Sequence, residues 1–406
     1  MSAQPVAPSF RRPEVIVAAG LAIAMLTFGP RSTMGFFLTP MTVENGWSRE
    51  VFALAIALQN LFWGAAQPFS GLLADRYGPV PVLVVGSVVY AAGLVLMAFT
   101  TDALVLQLTA GVLMGLGIAS SAYFLVLVAF QRLLPERMKP LAFGLGTAAG
   151  SAGQFVFAPL GQGFIAGFGW RGALVAMAAL VLVVPFLAMV LRGGAQPRPR
   201  GVVEQSAGGA IAEALGHRSY LWLIAGFFVC GFHVAFITTH LPPYVADIGI
   251  DPWWGGMAIG VIGLFNIAGA ITAGWLSGRV PKRLVLSAIY FGRGIAITLF
   301  ILTPPSVASL LIFSAAMGFL WLSTVPPTQG LVNIMFGTRF MAMLFGVVFF
   351  SHQVGSFLGV WLGGRIYDQT GSYALFWWIS VALAVFAGLV HLPIVERPVA
   401  RLQPAE

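Results

Sequence analysis

The sequence predicts an all-α integral membrane protein whose twelve transmembrane helices form two six-helix, pseudo-symmetric bundles. Three observations carry that prediction. The composition is more apolar than a soluble fold can bury, the apolar residues fall into twelve runs of spanning length, and a polar break at mid-chain is flanked by related motifs.

Among 406 residues there are 21 Lys and Arg and 13 Asp and Glu, 8% of the chain, where a soluble domain carries about 25%. Hydrophobic residues make up 59%, and the mean hydropathy is +0.91. A soluble protein of this length has too little interior for that load, because single cores stop growing near about 250–300 residues. A large soluble enzyme is therefore excluded. Disorder is excluded by the hydrophobicity, and a disulfide scaffold by the single cysteine, Cys230. In lipid each backbone amide has to be satisfied within its own segment, so the spans are helices.

The runs lie at 15–40, 50–73, 82–101, 103–131, 140–167 and 171–192, then at 219–246, 254–278, 284–303, 307–335, 340–367 and 371–395. Most are close to the roughly 20 residues that cross a bilayer. Residues 193–218 are Gly/Pro-rich and charged. They read as a linker, which divides the chain into a bundle at 1–192, the linker at 193–218 and a bundle at 219–406. Arg11 and Arg12 precede the first run as they would precede a signal peptide, but the run continues past Arg31 to Met41 without a small-residue cleavage site. It is read as a span.

Sixteen of the basic residues fall on the side that holds the N-terminus. Two, Arg49 and Arg171, fall on the other side, and Arg31, Arg293 and Arg365 fall within the runs. Positive residues stay inside, so both termini are expected in the cytoplasm, with the protein in the inner (plasma) membrane. The net charge of +8 is then a topology signal. Nucleic acid is not an expected partner, because the basic residues are dispersed over loops and form no single face.

Residues 71–76 read GLLADR and residues 274–279 read GWLSGR. Gly274 stands half the chain length after Gly71, and both strings lie between the second and third span of their half. FGWRGALV from Phe168 is echoed by TGSYALFW from Thr370. Two repeats with a site at their interface is a transporter architecture.

Gly71, Leu73, Asp75, Arg76 and Gly78 resemble the Gly-x-Leu-x-Asp-Arg-x-Gly loop of the major facilitator superfamily. The resemblance implies the major facilitator fold, alternating access, and a conformational-switch loop made of Gly71, Asp75, Arg76 and Gly78 with Gly274 and Arg279 in the second half. Here Pro79 and Val80 stand where basic residues usually follow, and Gly278 replaces the second Asp. The chain is also similar to the monocarboxylate porter branch. The similarity runs through Pro30-Arg31-Ser32 with Phe36-Phe37, nearly all of Pro140 to Leu174, and the Tyr367-Asp368…Tyr373 turn. Such porters carry an Asp and an Arg on the eighth helix, where this chain has Asn266 and Ala270. The Arg that many drug/proton antiporters hold on the fourth helix is matched here by Gly111.

Charge inside a bilayer is expensive, so Arg31 and Arg293 are functional candidates by default. Arg31 follows a Gly29-Pro30 break and is read as facing the central cavity, where it forms a forked pair with a carboxylate. The bland alternative is that it props helix carbonyls. Arg293, three residues after Tyr290, is read either as a second substrate contact or as a packing group. Arg365, near Asp368, is read as a local ion pair or a snorkelling side chain. None of the 13 acids lies at mid-helix, so a cation would find no counter-charge and an anion would find Arg31. Tyr123 and Asn266 complete the expected substrate contacts, Tyr123 on the resemblance of its helix to that of the porters. His233, His240 and His352 are the proton-coupling candidates, with packed-core imidazoles as the alternative. Gly355, Gly359 and Gly363, four apart, read as a surface for close helix approach.

A GxxxxGK[ST] loop, a CxxC pair and a metal-ligand cluster are all missing from the sequence, so neither ATP drive, cofactor nor metal is expected. The sequence reads as a secondary transporter of a small monocarboxylate or related organic anion, with protons as an optional partner, the bilayer as its medium and a monomer as a sufficient unit. The alternative is an exporter of larger amphiphilic or drug-like compounds. An enzyme or membrane sensor is disfavoured, because no nucleophile–base pair or sizeable cytoplasmic domain is visible.

Overall fold

The computed structural model describes residues 12–121, 123–193, 206–337 and 340–402. Arg11, Arg198, Arg200 and Arg339 of the inside charge bias, and most of the expected linker, lie outside these residues. Of Asp75 the backbone alone is described.

The twelve runs become twelve helical spans. They are α1 (Pro13–Asn45), α2 (Arg49–Tyr77), α3 (Pro79–Phe99), α4 (Ala103–Leu133), α5 (139–168), α6 (170–190), α7 (Arg218–Asp247), α8 (Pro252–Ser277), α9 (Lys282–Leu302), α10 (Val307–Phe336), α11 (Met341–Thr370) and α12 (Ala374–His391). Among the described residues ten helical stretches are long and apolar enough to cross a membrane, one of them, Gly144–Val190, holding most of α5 together with α6. The span outside these stretches, α2, is long enough at 29 residues but carries Gln59, Asn60 and Gln67 along its middle. Those polar groups matter below.

The ends of the spans follow from local chemistry. Ser48 accepts from the Val51 N–H at the start of α2, and Asp251 accepts from Trp253 at the start of α8. Ser306 and Ser309 form a reciprocal capping box on α10. Glycines with positive φ make two of the tightest connections between spans. Gly78 (φ 87°) ends α2 and starts α3 one residue later, and Gly169 (φ 67°) turns α5 into α6 within an otherwise continuous 139–181 helix.

Part of the expected linker is itself structured. Ala207–Leu215 forms a short helix capped by Ser206, with Ala210 and Ala214 buried. The C-terminal tail folds back so that the Val399 N–H reaches the Met335 carbonyl at 2.9 Å.

The two six-helix halves meet along α2 against α11 and α5 against α8. Within the C-terminal half α7 lies close along α11, and the spacing of Gly355, Gly359 and Gly363 is the reason. A Cβ at any of these would run into the Phe228 or Phe232 backbone or the Phe236 and His240 side chains. Gly231 of α7 faces the His352 backbone in the same way.

Candidate functional site

Arg31 lies where α1 is least regular. Pro30 removes a backbone donor, and residues 34–37 tighten into a 3-10 turn. The freed carbonyls are taken up locally, by Ser32 Oγ on Gly29 O at 2.6 Å and Thr33 Oγ1 on Pro30 O at 2.8 Å. Arg31 Nη2 donates to Asn60 Oδ1 at 2.7 Å, and Asn60 is fixed in turn by its own Nδ2 on Ile56 O at 2.8 Å. The guanidinium lies over the Trp63 ring, 4.4 Å from its centroid, and 5.4 Å from that of Phe28. The Trp63 N–H is committed to Gln67, which holds the indole face toward Arg31.

Two donors at this point have no partner. One is Arg31 Nε and the other the hydroxyl of Tyr90, a fully buried α3 residue within electrostatic reach of Arg31. Among the described residues no carboxylate pairs with Arg31. The bland expectation that Arg31 merely props helix carbonyls is not what the bonds show; its bonded partner is the Asn60 side chain.

From Trp63 a ladder of rings crosses to the other half. Trp63 meets Phe349 of α11 edge-on at 5.4 Å, and Phe349 meets Phe124 of α4 edge-on at 5.9 Å. Phe124 stacks on Tyr123 at 4.2 Å, and Phe349 stacks on His352 at 5.7 Å. Tyr123 and His352 are thus brought into one cluster with Arg31. Gln353, fully buried against Gly64 of α2, bonds His352 Nδ1 through its oxygen and leaves its Nε2 without a partner.

Asn266 and Arg293 are placed elsewhere. The tenth span is interrupted, with helix over Val307–Leu320 and Val325–Phe336 and none at 321–324. The break frees carbonyls at the end of the first piece. Arg293 fills that gap, giving Nε and Nη2 to Leu320 O at 3.1 and 2.8 Å, with the Trp321 carbonyl also bonded. Cys230 accepts from Nη2 at 3.5 Å. Arg293 is wholly buried and all these partners belong to the C-terminal half, so of its two expected readings the packing role fits the bonds. Asn266 uses both ends of its amide: Oδ1 accepts from the Leu322 N–H at 2.9 Å in the same break, and Nδ2 donates to Ser151 Oγ of α5 at 2.7 Å. It bridges three helices with one hydrogen bond at each end of its amide.

His233 and His240 share one face of α7, as their spacing implies. His233 Nε2 donates to Ser380 O of α12 at 2.9 Å. His240 Nε2 donates to Val360 O at 2.8 Å, so its Nδ1 accepts from the Tyr373 hydroxyl at 2.9 Å.

That last bond belongs to a closure that the sequence reading missed. Arg49, at the start of α2, forks onto both Asp247 oxygens at 2.6 and 2.7 Å, donates to Tyr373 Oη at 3.1 Å and lies 3.7 Å over the Tyr367 ring. The Asp368 carboxylate accepts from the Arg49 and Glu50 backbone N–H groups. Glu50 accepts from Trp361 Nε1 at 2.9 Å and pairs with Arg365 at 3.4 Å. Arg365 therefore pairs across to α2, whereas a local ion pair beside Asp368 or a snorkelling side chain was expected; Asp368 is occupied with the helix start of α2. These bonds tie the two halves together at the start of α2 and the ends of α7 and α11. The available signal was that Arg49 is one of only two basic residues expected on its side.

A sequence profile described as Major Facilitator Superfamily matches residues 20–360. The chain belongs to the Major Facilitator Superfamily. Rat (Rattus norvegicus) monocarboxylate transporter 13 is 27% identical over 391 residues, covering 93% of this chain and 88% of that protein. An uncharacterized MFS-type transporter of Bacillus subtilis, YcxA, is 27% identical over 384 residues, covering 91% and 90%. The inward-open Escherichia coli xylose transporter superposes with a TM-score of 0.73 at 12% identity, over 95% of this chain and 96% of that one, which shows the shared fold. The chain is accordingly a multi-pass membrane protein of a transporter superfamily.

The superfamily's switch loop lies at the other end of α2 and α8. Gly78 forms its turn, and Gly71 has open space around its Cα. Arg76 lies over its neighbour Tyr77 at 5.2 Å. Arg279 folds back over Trp275 at 4.0 Å and donates weakly to that residue's carbonyl, close beside Gly274 and the Gly278 that replaces the acid.

Proposed function

We propose that the protein is a secondary active transporter of a monocarboxylate or related organic anion, working by alternating access of its two six-helix halves. The observation that carries the proposal is the state of Arg31: a permanently charged group within the membrane, half-buried, hydrogen-bonded to a neutral amide and flanked by rings, with a free Nε beside the free Tyr90 hydroxyl. A buried charge without a partner is unfavourable by several kcal/mol. An anionic ligand supplies the partner. The names of the monocarboxylate transporters it resembles support the same class.

The mechanism follows from the charge balance. A carboxylate received by Arg31 Nε and Tyr90 Oη cancels the N-half charge, so that the loaded site tolerates closure that the empty site resists. The outer closure at Arg49, Asp247 and Asp368 supports a cycle in which this side is sealed while the ligand exchanges from the other. Proton coupling enters through His240, whose bond to Tyr373 is continuous with Arg49. His352 and His233 remain alternatives, as does a proton carried by the substrate. The proposal includes the plasma membrane and cytoplasmic termini, on the distribution of basic residues.

The test is uptake of labelled pyruvate and phenylacetate by proteoliposomes that hold the purified chain. Uptake by the native protein, lost in Arg31→Gln with the protein still folded, is the expected result. Normal uptake in Arg31→Gln, or equal uptake of an uncharged amide analogue, overturns the assignment.

A further inference from the structure

We infer that the anion held at Arg31 carries an aromatic body: the site is built for an aryl-substituted carboxylate and not for a short hydroxy or oxo acid. The inference deepens the organic-anion reading and rests on it.

Gln353 Nε2 of α11, whose side chain packs against Gly64, is one buried donor without a partner. Arg31 Nε and Tyr90 Oη are two more, at the spot where Asn60 bonds Arg31 and Ile56 O. That suits one carboxylate. The surroundings beyond it are rings: the faces of Trp63 and Phe28 toward the guanidinium, then Phe349, Phe124 and Tyr123 in sequence. The Trp63 N–H is already given to Gln67. A short acid would leave those ring faces without a ligand contact, whereas an aryl group covers them.

The C-terminal half contributes in the same currency of contacts. On α8 Asn266 is bonded at both ends and Ala270 has no donor, whereas α11 presents the Phe349 ring. Phe349 is the rung shared by the two halves, edge-on both to Trp63 of α2 and to Phe124 of α4. Rocking the halves apart must break those two contacts and uncover three ring surfaces together. An aryl group entering from the open side replaces the lost edge-to-face contacts with its own, in the geometry aromatic pairs prefer. The carboxylate is then read by the N-terminal half and the ring by both, so only a ligand with both parts favours re-closure.

The experiment is a binding series on the purified full chain, followed by its tryptophan fluorescence, with four probes: acetate, pyruvate, phenylacetate and the neutral phenylacetamide. Phenylacetate is expected to bind at least about tenfold more tightly than acetate and pyruvate, with phenylacetamide weak. Phe349→Leu and, separately, Phe124→Leu are expected to bring the affinity for phenylacetate down toward that for acetate. Equal affinity for acetate, pyruvate and phenylacetate overturns the aromatic inference and leaves the anion reading intact. Phenylacetamide binding as tightly as phenylacetate overturns the anion reading. Absence of binding by all four overturns both. The wild-type series decides without any variant, so a misfolded variant does not protect the proposal.

Discussion

Asp368, at the end of α11, caps the start of α2: its Oδ1 accepts from the Arg49 N–H at 3.0 Å and its Oδ2 from the Glu50 N–H at 2.7 Å. A side chain of one half thus satisfies the exposed amides of a helix in the other, where the helix dipole also favours negative charge. Such a cap is worth about 1 kcal/mol, a factor of about five in a two-state ratio. Asp368→Asn loses the charge and one acceptor. The expected outcome is a shift toward the outward-open form, read as faster reaction of an outer-half cysteine, Thr238→Cys on a Cys230→Ser background, with an impermeant maleimide. An unchanged labelling rate would mean that the cap does not hold the closure.

The Arg49 fork onto Asp247 has a chemical lock behind it. His240 receives the Tyr373 proton on Nδ1 and gives its own to Val360 O, and Tyr373 in turn accepts from Arg49. The groups facing this imidazole are Tyr373 and, beyond it, Arg49, Asp247, Tyr367 and Tyr244. A second proton on His240 removes the acceptor that Tyr373 uses and sets a new cation near Arg49. The sign is therefore that acid on the outer face loosens the closure. Labelling at Thr238→Cys should rise as the outer pH is lowered, and the rise should vanish in His240→Gln. A pH response that survives in His240→Gln assigns the titration to another group.

The two intramembrane arginines should separate cleanly. Each keeps one buried donor without a partner, Arg31 its Nε and Arg293 its Nη1, but Arg31 bonds one neutral side chain whereas Arg293 bonds the carbonyls that the break at 321–324 leaves open. Arg293→Gln orphans at least one buried carbonyl, at about 1–3 kcal/mol, so its melting temperature should fall with affinity for phenylacetate retained in the folded fraction. Arg31→Gln should do the reverse, holding its melting temperature and losing ligand. Thermal unfolding in detergent, with and without phenylacetate, reads both. Identical behaviour of the two variants would remove the distinction.

Much of this was legible in the sequence because bilayers enforce it. Apolar runs had to be spans, and a charge such as Arg31 inside one had to be special. Arg293 passed the same criterion but does a different task, because its meaning depends on where α10 breaks. The signal for that break, Pro326 and Pro327 inside an apolar run, is read only together with the neighbouring helix. The outer closure was harder still. Arg49, Asp247 and Asp368 look like ordinary solvated charges at span ends, and their pairing joins residues 198 and 319 positions apart. Local patterns do not carry contacts of that range. The fold brings them together through the α2–α11 and α7–α11 packing that glycines permit.

Asn266 offers the sharpest contrast between the two kinds of reading. Its place on α8 suggests a substrate contact, yet its amide is engaged at both ends, by the Leu322 N–H and Ser151 Oγ. Asn266→Leu should strand the Leu322 N–H, which sits in the non-helical break and has no helical carbonyl to turn to, while Ser151 can rebond to its own helix backbone. The expected cost is again about 1–3 kcal/mol of stability, together with a looser α5–α8 seam. Ligand affinity should stay within about twofold, under half a kcal/mol, because no bond to the ligand is lost. A large drop in phenylacetate affinity at an unchanged melting temperature would return Asn266 to the binding site; a lower melting temperature with affinity preserved makes it the bridge that its two hydrogen bonds describe.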